Sequence, residues 1–122
     1  MVYKSDKNIL IAPELAFTIS ATFGDTGITA DSNGKKIIPA GTPVGNLTQD
    51  VLMFRDAVLI ATNDAANGAK SQGVTMHDVD VTAGNATDAL VVFGFIDVEK
   101  TTVTLNSAVV LPKITFMKGD MN

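Results

Sequence analysis

Asp78-Val79-Asp80-Val81-Thr82 is the stretch whose residue types and spacing come nearest to chemistry. Two carboxylates two positions apart, followed by a hydroxyl, match the Asp-x-Asp-x-Thr arrangement of phosphotransferases, in which one aspartate attacks phosphorus and the other moves a proton. That reaction also needs Mg²⁺, a stabilising lysine and a parallel α/β scaffold to bring the groups together. A chain of 122 residues without alternating β and α segments supplies no such scaffold, so the match reads as coincidence. The same aspartates, with Asn85 and Asp88, could offer oxygens to a hard cation. Ala83 and Ala89, however, stand where an EF-hand loop needs glycine and a bidentate glutamate. A looser oxygen site stays open beside the reading of water-exposed turn carboxylates. Gly68-Ala69-Lys70-Ser71-Gln72-Gly73-Val74-Thr75 approaches a phosphate loop, but Val74 occupies the lysine position and leaves a flexible turn. His77 is the single imidazole, with no nucleophile singled out beside it, and is expected to make one hydrogen bond next to a bend. No catalytic, cofactor-binding or metal-binding residue is assigned, and the chain reads as a protein that is not an enzyme and carries no cofactor.

Composition narrows the remaining classes. Nine Lys and Arg against thirteen Asp and Glu give a net charge of −4, which disfavours a nucleic-acid surface. Zero cysteines exclude a disulfide framework and a thiolate metal site. Hydrophobic residues at 46% and charged residues at 18% describe one folded domain. The apolar runs, Val51 to Phe54, Ala57 to Ala61 and Ala89 to Ile96, are far shorter than a membrane helix of about 20 residues. Met1 to Ala12 lacks the apolar stretch of an export signal, so synthesis in the cytoplasm is expected. Asn46-Leu47-Thr48 and Asn85-Ala86-Thr87 then read as turn residues, not glycosylation sites.

The elements that would position these residues are mostly β. Met1 to Asn8 is polar, Ile9 to Ala12 is a short apolar patch, and Pro13 interrupts regular structure. The first residues therefore form an arm, either frayed or able to add a strand to another chain's sheet edge. Leu15, Phe17 and Ile19 alternate with small or polar residues as in a half-buried strand. Gly24 to Gly27 and Asp31 to Gly34 are turn clusters, the second carrying Asn-Gly. Lys35 to Ile38 is extended and leads into a rigid turn from Pro39 to Pro43. A short helix or turn is expected at 48–55, a strand at 57–62, and a loop or single helical turn at 63–72.

Val74 and Met76 are apolar at even positions, Val79 and Val81 at odd ones, so His77-Asp78 marks a bulge or bend. Leu90 to Val98 is apolar on both faces, as in the most buried strand, and Gly94 within it implies a close neighbour. Val103 and Leu105, Val109 to Leu111, and Ile114 to Phe116 are read as the last strands. Phe54, Phe93, Phe95 and Phe116 are assigned to the core rather than to a ligand platform. A chain this small, with one strand apolar on both sides, leaves apolar surface for identical subunits to bury.

Three segments in order carry a resemblance: Lys36-Ile37-Ile38-Pro39-Ala40-Gly41-Thr42-Pro43-Val44, then Gly73-Val74-Thr75-Met76-His77-Asp78-Val79-Asp80-Val81-Thr82, then Val91-Val92-Phe93-Gly94-Phe95-Ile96-Asp97. Together they resemble the small head (capsid) decoration or head-fibre proteins of tailed bacteriophages and, more distantly, the lambdoid head decoration protein. The resemblance runs from Ala16 to Phe116 and implies a mostly β fold. The expected architecture is a small single-domain β-sandwich or barrel-like body of the β-tulip type over residues 16–122. It would carry an N-terminal arm over 1–15 and at most one or two short helices. The implied role is structural: a homotrimer on the outer surface of the virion head, bound to the major capsid protein at local threefold axes. Nucleic acid, membrane and small-molecule substrate are not expected partners. In this reading Ile9, Leu10 and Ile11 belong to the capsid-binding arm, and Pro39, Gly41 and Pro43 to a subunit interface or rigid turn. The alternative is a β-rich module for head-fibre or glycan and host-surface adhesion. The scarcity of aromatics, one Tyr and no Trp, argues against sugar stacking.

Overall fold

The computed structural model describes residues 9–118. The chain is mostly β. The strands among the described residues are β1 (Leu10–Ile11), β2 (Phe17–Phe23), β3 (Ile37–Ile38), β4 (Pro43–Gly45), β5 (Val58–Ala61), β6 (Gly73–Thr75), β7 (Val79–Asp80), β8 (Ala86–Asp97) and β9 (Ile114–Met117). Helical structure among the described residues is confined to single 3-10 turns at Pro13–Leu15, Gly68–Lys70 and Val98–Lys100.

β8 organises everything else. Its first part pairs antiparallel with β2 on one side and β6 on the other. β2 pairs parallel with β5, β5 antiparallel with β4, and β4 antiparallel with β6. The pairings β8-β2-β5-β4-β6-β8 therefore close a five-stranded ring, which leaves none of these strands with an open edge along its paired stretch. The last part of β8 leaves the ring and runs between β1, antiparallel, and β9, parallel. β3 and β7 form a separate antiparallel ribbon.

Two cores follow from this division. Ile19, Ala21 and Phe23 of β2, Leu59 of β5, Val44 of β4 and Leu90 and Val92 of β8 fill the ring, joined by Ile38, Val51, Val79 and Val81. Ile9, Leu10, Val74, Val91, Ile96 and Ile114 make the second core. Val91 and Ile96 share that core although strict alternation would put residues five apart on opposite faces. A bulge absorbs the difference: Phe17 faces Phe93 while Thr18 faces Val91, so Val92 is the extra residue. Gly94 follows at φ +152, and a Cβ there would stand 3.2 Å from the Ala16 Cβ. The two-faced apolar character of Leu90 to Val98 thus has a specific cause. One strand serves both cores, Leu90 and Val92 facing the ring and Val91 and Ile96 the second core.

The other expectations divide. The bend at His77 and the strand at 57–62 appear, the last as β5, whereas the alternation holds only from Ile19 onward: Leu15 lies in a 3-10 turn, and it and Phe17 are exposed. Residues 48–55 take the turn alternative rather than a helix. Val103 and Leu105 lie in irregular backbone, as do Val109 to Leu111. Their side chains are half-buried or exposed on the body without joining a ladder. Pro43 opens β4, an interior strand, a position that its missing N–H tolerates because it is the first residue.

The arm needs correction. Ile9 is 1% exposed and Leu10 is buried with it; Leu10 and Ile11 pair with Ile96 and Phe95. These three residues are part of the body, because the apolar patch finds its partner on β8 of its own chain. Of the rest of the expected arm over 1–15, the stretch 13–15 forms a 3-10 turn leading into β2, and residues 1–8 lie outside the described residues.

Candidate functional site

The aspartates of the Asp-x-Asp motif are both exposed and both engaged by backbone donors. Asp78 Oδ1 accepts the Ala40 N–H at 2.8 Å, and Asp80 Oδ1 accepts the Thr82 N–H at 2.9 Å. The hydrogen bonds from Thr82 hold the Asp80 carboxyl below its ordinary value, with a smaller contribution from the charge of Lys35. Both carboxylates fix turns at the ends of the β3–β7 ribbon. Among the described residues no three His, Asp or Glu side chains gather into a metal-binding group.

His77 makes its expected hydrogen bond from the bend between β6 and β7, Nδ1 to Asp88 Oδ1 of β8 at 2.8 Å. Asp88 also accepts the Ala89 N–H at 2.7 Å. Burial is the largest influence on the Asp88 carboxyl and opposes its ionisation. The hydrogen bonds from His77 and Ala89, with the His77 charge, outweigh it and the group titrates below its ordinary value. His77 and Asp78 line a groove of about 540 Å³ with Ile9, Ile37, Pro39, Ala40, Lys100 and Thr102. No serine lies in its wall, and Asp78 is occupied by Ala40. The groove thus gathers an imidazole, an ammonium and the Thr102 hydroxyl, with Asp78 held by the Ala40 N–H.

The segment resembling a phosphate loop folds otherwise. Gly68 is buried, and a Cβ there would lie 2.6 Å from the Ala108 carbonyl carbon; at Gly73 it would lie 2.6 Å from the Val91 oxygen. These glycines admit neighbouring backbone rather than phosphate.

Pro39 to Pro43 is the rigid turn that its prolines imply. Gly41 takes φ +89 beneath Thr101, and its N–H donates to the Thr75 carbonyl at 2.8 Å. Thr42 Oγ1 and Thr75 Oγ1 both donate to the Pro39 carbonyl, at 2.6 and 2.8 Å. Gly41 and Pro43 are buried within the chain, so the contacts they make are internal.

What the surface offers instead is apolar side chains on firmly held backbone. Met53 is 76% exposed, with Leu47, Leu52 and Phe54 exposed around it. Their loop is pinned by two polar residues. Asn46 Oδ1 accepts N–H groups from Thr48 at 3.0 Å and Gln49 at 2.9 Å, while its Nδ2 donates to the Val58 carbonyl at 2.9 Å. Gln72 Nε2 donates to the carbonyls of Asn46 and Gln49, and its Oε1 accepts the Val51 N–H at 3.1 Å. Val51, fully buried, anchors the loop from within. The turn reading of Asn46 foreshadows part of this arrangement; nothing in the local sequence marks Gln72.

A second exposed group is Leu15, Phe17 and Phe93. Phe17 and Phe93 are cross-strand partners at the bulge and remain 57% and 47% exposed. Core assignment is therefore wrong for Phe93 and for Phe54, whereas Phe95 and Phe116 are half-buried. Leu47 and Leu52 line a shallow groove together with Lys70, Gln72, Val92 and Pro112.

No protein-family model matches the chain, and no curated protein is significantly similar to it.

Proposed function

We propose that this chain is a structural subunit that decorates the outside of a tailed-bacteriophage head, assembling with copies of itself, as a trimer, and binding the major capsid protein. The ordered motif resemblance supports the family. The observation that carries the mechanism is the pair of exposed apolar groups, Leu47-Leu52-Met53-Phe54 and Leu15-Phe17-Phe93, on backbone that is already fixed. Exposed apolar clusters of this kind mark association surfaces, and fixed backbone lowers the ordering cost of association.

A decoration subunit works by contact alone. Each trimer touches several capsid subunits at once, and every contact after the first is intramolecular, so individually weak contacts add to tight attachment. Bridging neighbouring subunits then resists outward pressure from packaged DNA. A closed ring with a two-sided core suits that load, because it leaves no strand within the ring free to peel away.

The test is stabilisation. Matured heads assembled from the neighbouring capsid gene, with and without added protein, are heated and scored for intact particles. Added protein is expected to raise the temperature at which heads rupture; an unchanged rupture temperature at saturating protein would count against the role.

A further inference from the structure

The chain contains two Asn-Gly dipeptides, Asn33-Gly34 and Asn67-Gly68. In such a pair the glycine nitrogen reaches the asparagine side-chain amide with least obstruction, because glycine has no Cβ and moves freely through φ. The fold places the two in opposite surroundings.

Asn33 and Gly34 occupy an exposed turn, Gly34 at φ +75 with nothing within 4 Å of a Cβ built upon it. Asp31 alone holds this turn. Its Oδ1 accepts the N–H of Asn33 at 2.8 Å and of Lys35 at 3.0 Å, its carbonyl accepts the Gly34 N–H at 2.9 Å, and its own N–H donates to the Lys35 carbonyl at 2.8 Å. Every one of these bonds is local and solvent-exposed. Gly68, by contrast, is buried against the backbone of Ala108 and Val109. Its N–H donates to the Asp64 carbonyl at 2.9 Å, and its carbonyl accepts from Val110 at 3.1 Å. Asn63 ties the same region to Thr104 and Asn106, at 2.9 and 2.7 Å.

We propose that Asn33 deamidates spontaneously in the folded protein while Asn67 is protected. The Gly34 nitrogen, having given its proton to solvent base, attacks Asn33 Cγ. The N–Cγ bond forms, the Cγ–Nδ2 bond breaks and the amide leaves as ammonia. Water then opens the cyclic imide. Cleavage at the side-chain carbonyl yields aspartate, and cleavage at the main-chain carbonyl yields isoaspartate, whose backbone runs through Cβ. The Gly34 N–H must first leave the Asp31 carbonyl, so the rate follows local opening of the turn. Exposed turns with local bonds open at the low end of the free-energy range, whereas Asn67 must wait for separation from the 106–110 segment.

Conversion places a second negative charge beside Asp31, and the isoaspartate product also displaces the two N–H groups that Asp31 Oδ1 bridges. The next residue, Lys36, holds Asp25 at 3.0 Å and donates its N–H to Thr82 Oγ1 at 2.8 Å. Ageing at Asn33 thus loosens the start of β3.

The experiment incubates the purified full chain in mildly alkaline buffer, folded and in urea, and follows both peptides by mass spectrometry. In the folded protein the Asn33 peptide is expected to gain the amide-to-acid mass as two separable products, one a substrate for isoaspartyl methyltransferase. The Asn67 peptide should react at least about tenfold more slowly, the ratio set by its costlier opening. In urea both should react at comparable rates. Asp31→Ala should accelerate the reaction at Asn33, and Asn33→Gln should abolish it. Equal rates at both sites in the folded protein would overturn the proposal, as would an Asn33 that reacts only in urea.

Discussion

His77 and Asp88 are committed to each other before any ligand arrives. The imidazole Nδ1–H donates to a carboxylate that already holds a backbone N–H, and the net effect is to depress the titration of Asp88 below its ordinary value. Asp25, through its hydrogen bond and attraction to Lys36, and Asp80, through Thr82, are shifted the same way. Carboxylates depressed in the folded state add stability at pH values above their ordinary one, and that contribution is lost as pH falls through the lower folded value. Unfolding in urea should accordingly become easier below about pH 4, the ordinary carboxylate range. His77→Ala should move the Asp88 titration up toward 3.8, read by NMR of its carboxyl carbon. An unchanged titration would show that the Ala89 N–H alone controls the group. Legibility at this scale was uneven for a physical reason. Carboxylate spacing is local and visible, but the N–H groups of Ala40 and Thr82 that occupy Asp78 and Asp80 depend on where the ribbon folds.

Among the elements, β2 and β8 were readable because burial on one or both faces leaves its period in the residues themselves. The closing of the ring was not, since the parallel β2–β5 pairing and the β6–β8 pairing join segments far apart in the chain. The patch Ile9 to Ile11 misled for the same reason. Short, apolar and flanked by polar residues, it matches a free arm and an internal edge strand equally well, and its partner on β8 lies near the other end of the sequence. Val103 and Leu105 misled in the opposite sense, because irregular backbone lying over a body alternates as a strand does. Two substitutions test these assignments. Ile9→Ala should cost about 2–5 kcal/mol, the range for truncating a buried isoleucine. A cost near zero would return Ile9 to the arm. Gly94→Ala should cost about 1–3 kcal/mol, since it forces a side chain into a positive-φ position against Ala16. Both are read from denaturant midpoints.

For the whole molecule, the polar and apolar surfaces have separate duties. Asn46 and Gln72 use their hydrogen bonds to hold a loop, and the loop presents Leu47, Leu52, Met53 and Phe54 to solvent. The double substitution Met53→Ser and Phe54→Ser should leave folding stability within about 0.5 kcal/mol, as exposed sites do. Sedimentation should show it losing self-association, head attachment or both. The resemblance pointed to a protein that acts by contact, yet it placed the contacts on the arm and the proline turn. The exposed groups lie instead on the 46–54 loop and at the bulge, where residues meant for a core by their type face water. The most direct measurement is co-sedimentation of the purified protein with matured heads from the neighbouring capsid gene, titrated to saturation. The account predicts saturable binding at a fixed ratio to capsid subunits, weakened by the Met53 and Phe54 substitutions. Absence of binding to matured heads would contradict it and bring forward a role in surface adhesion.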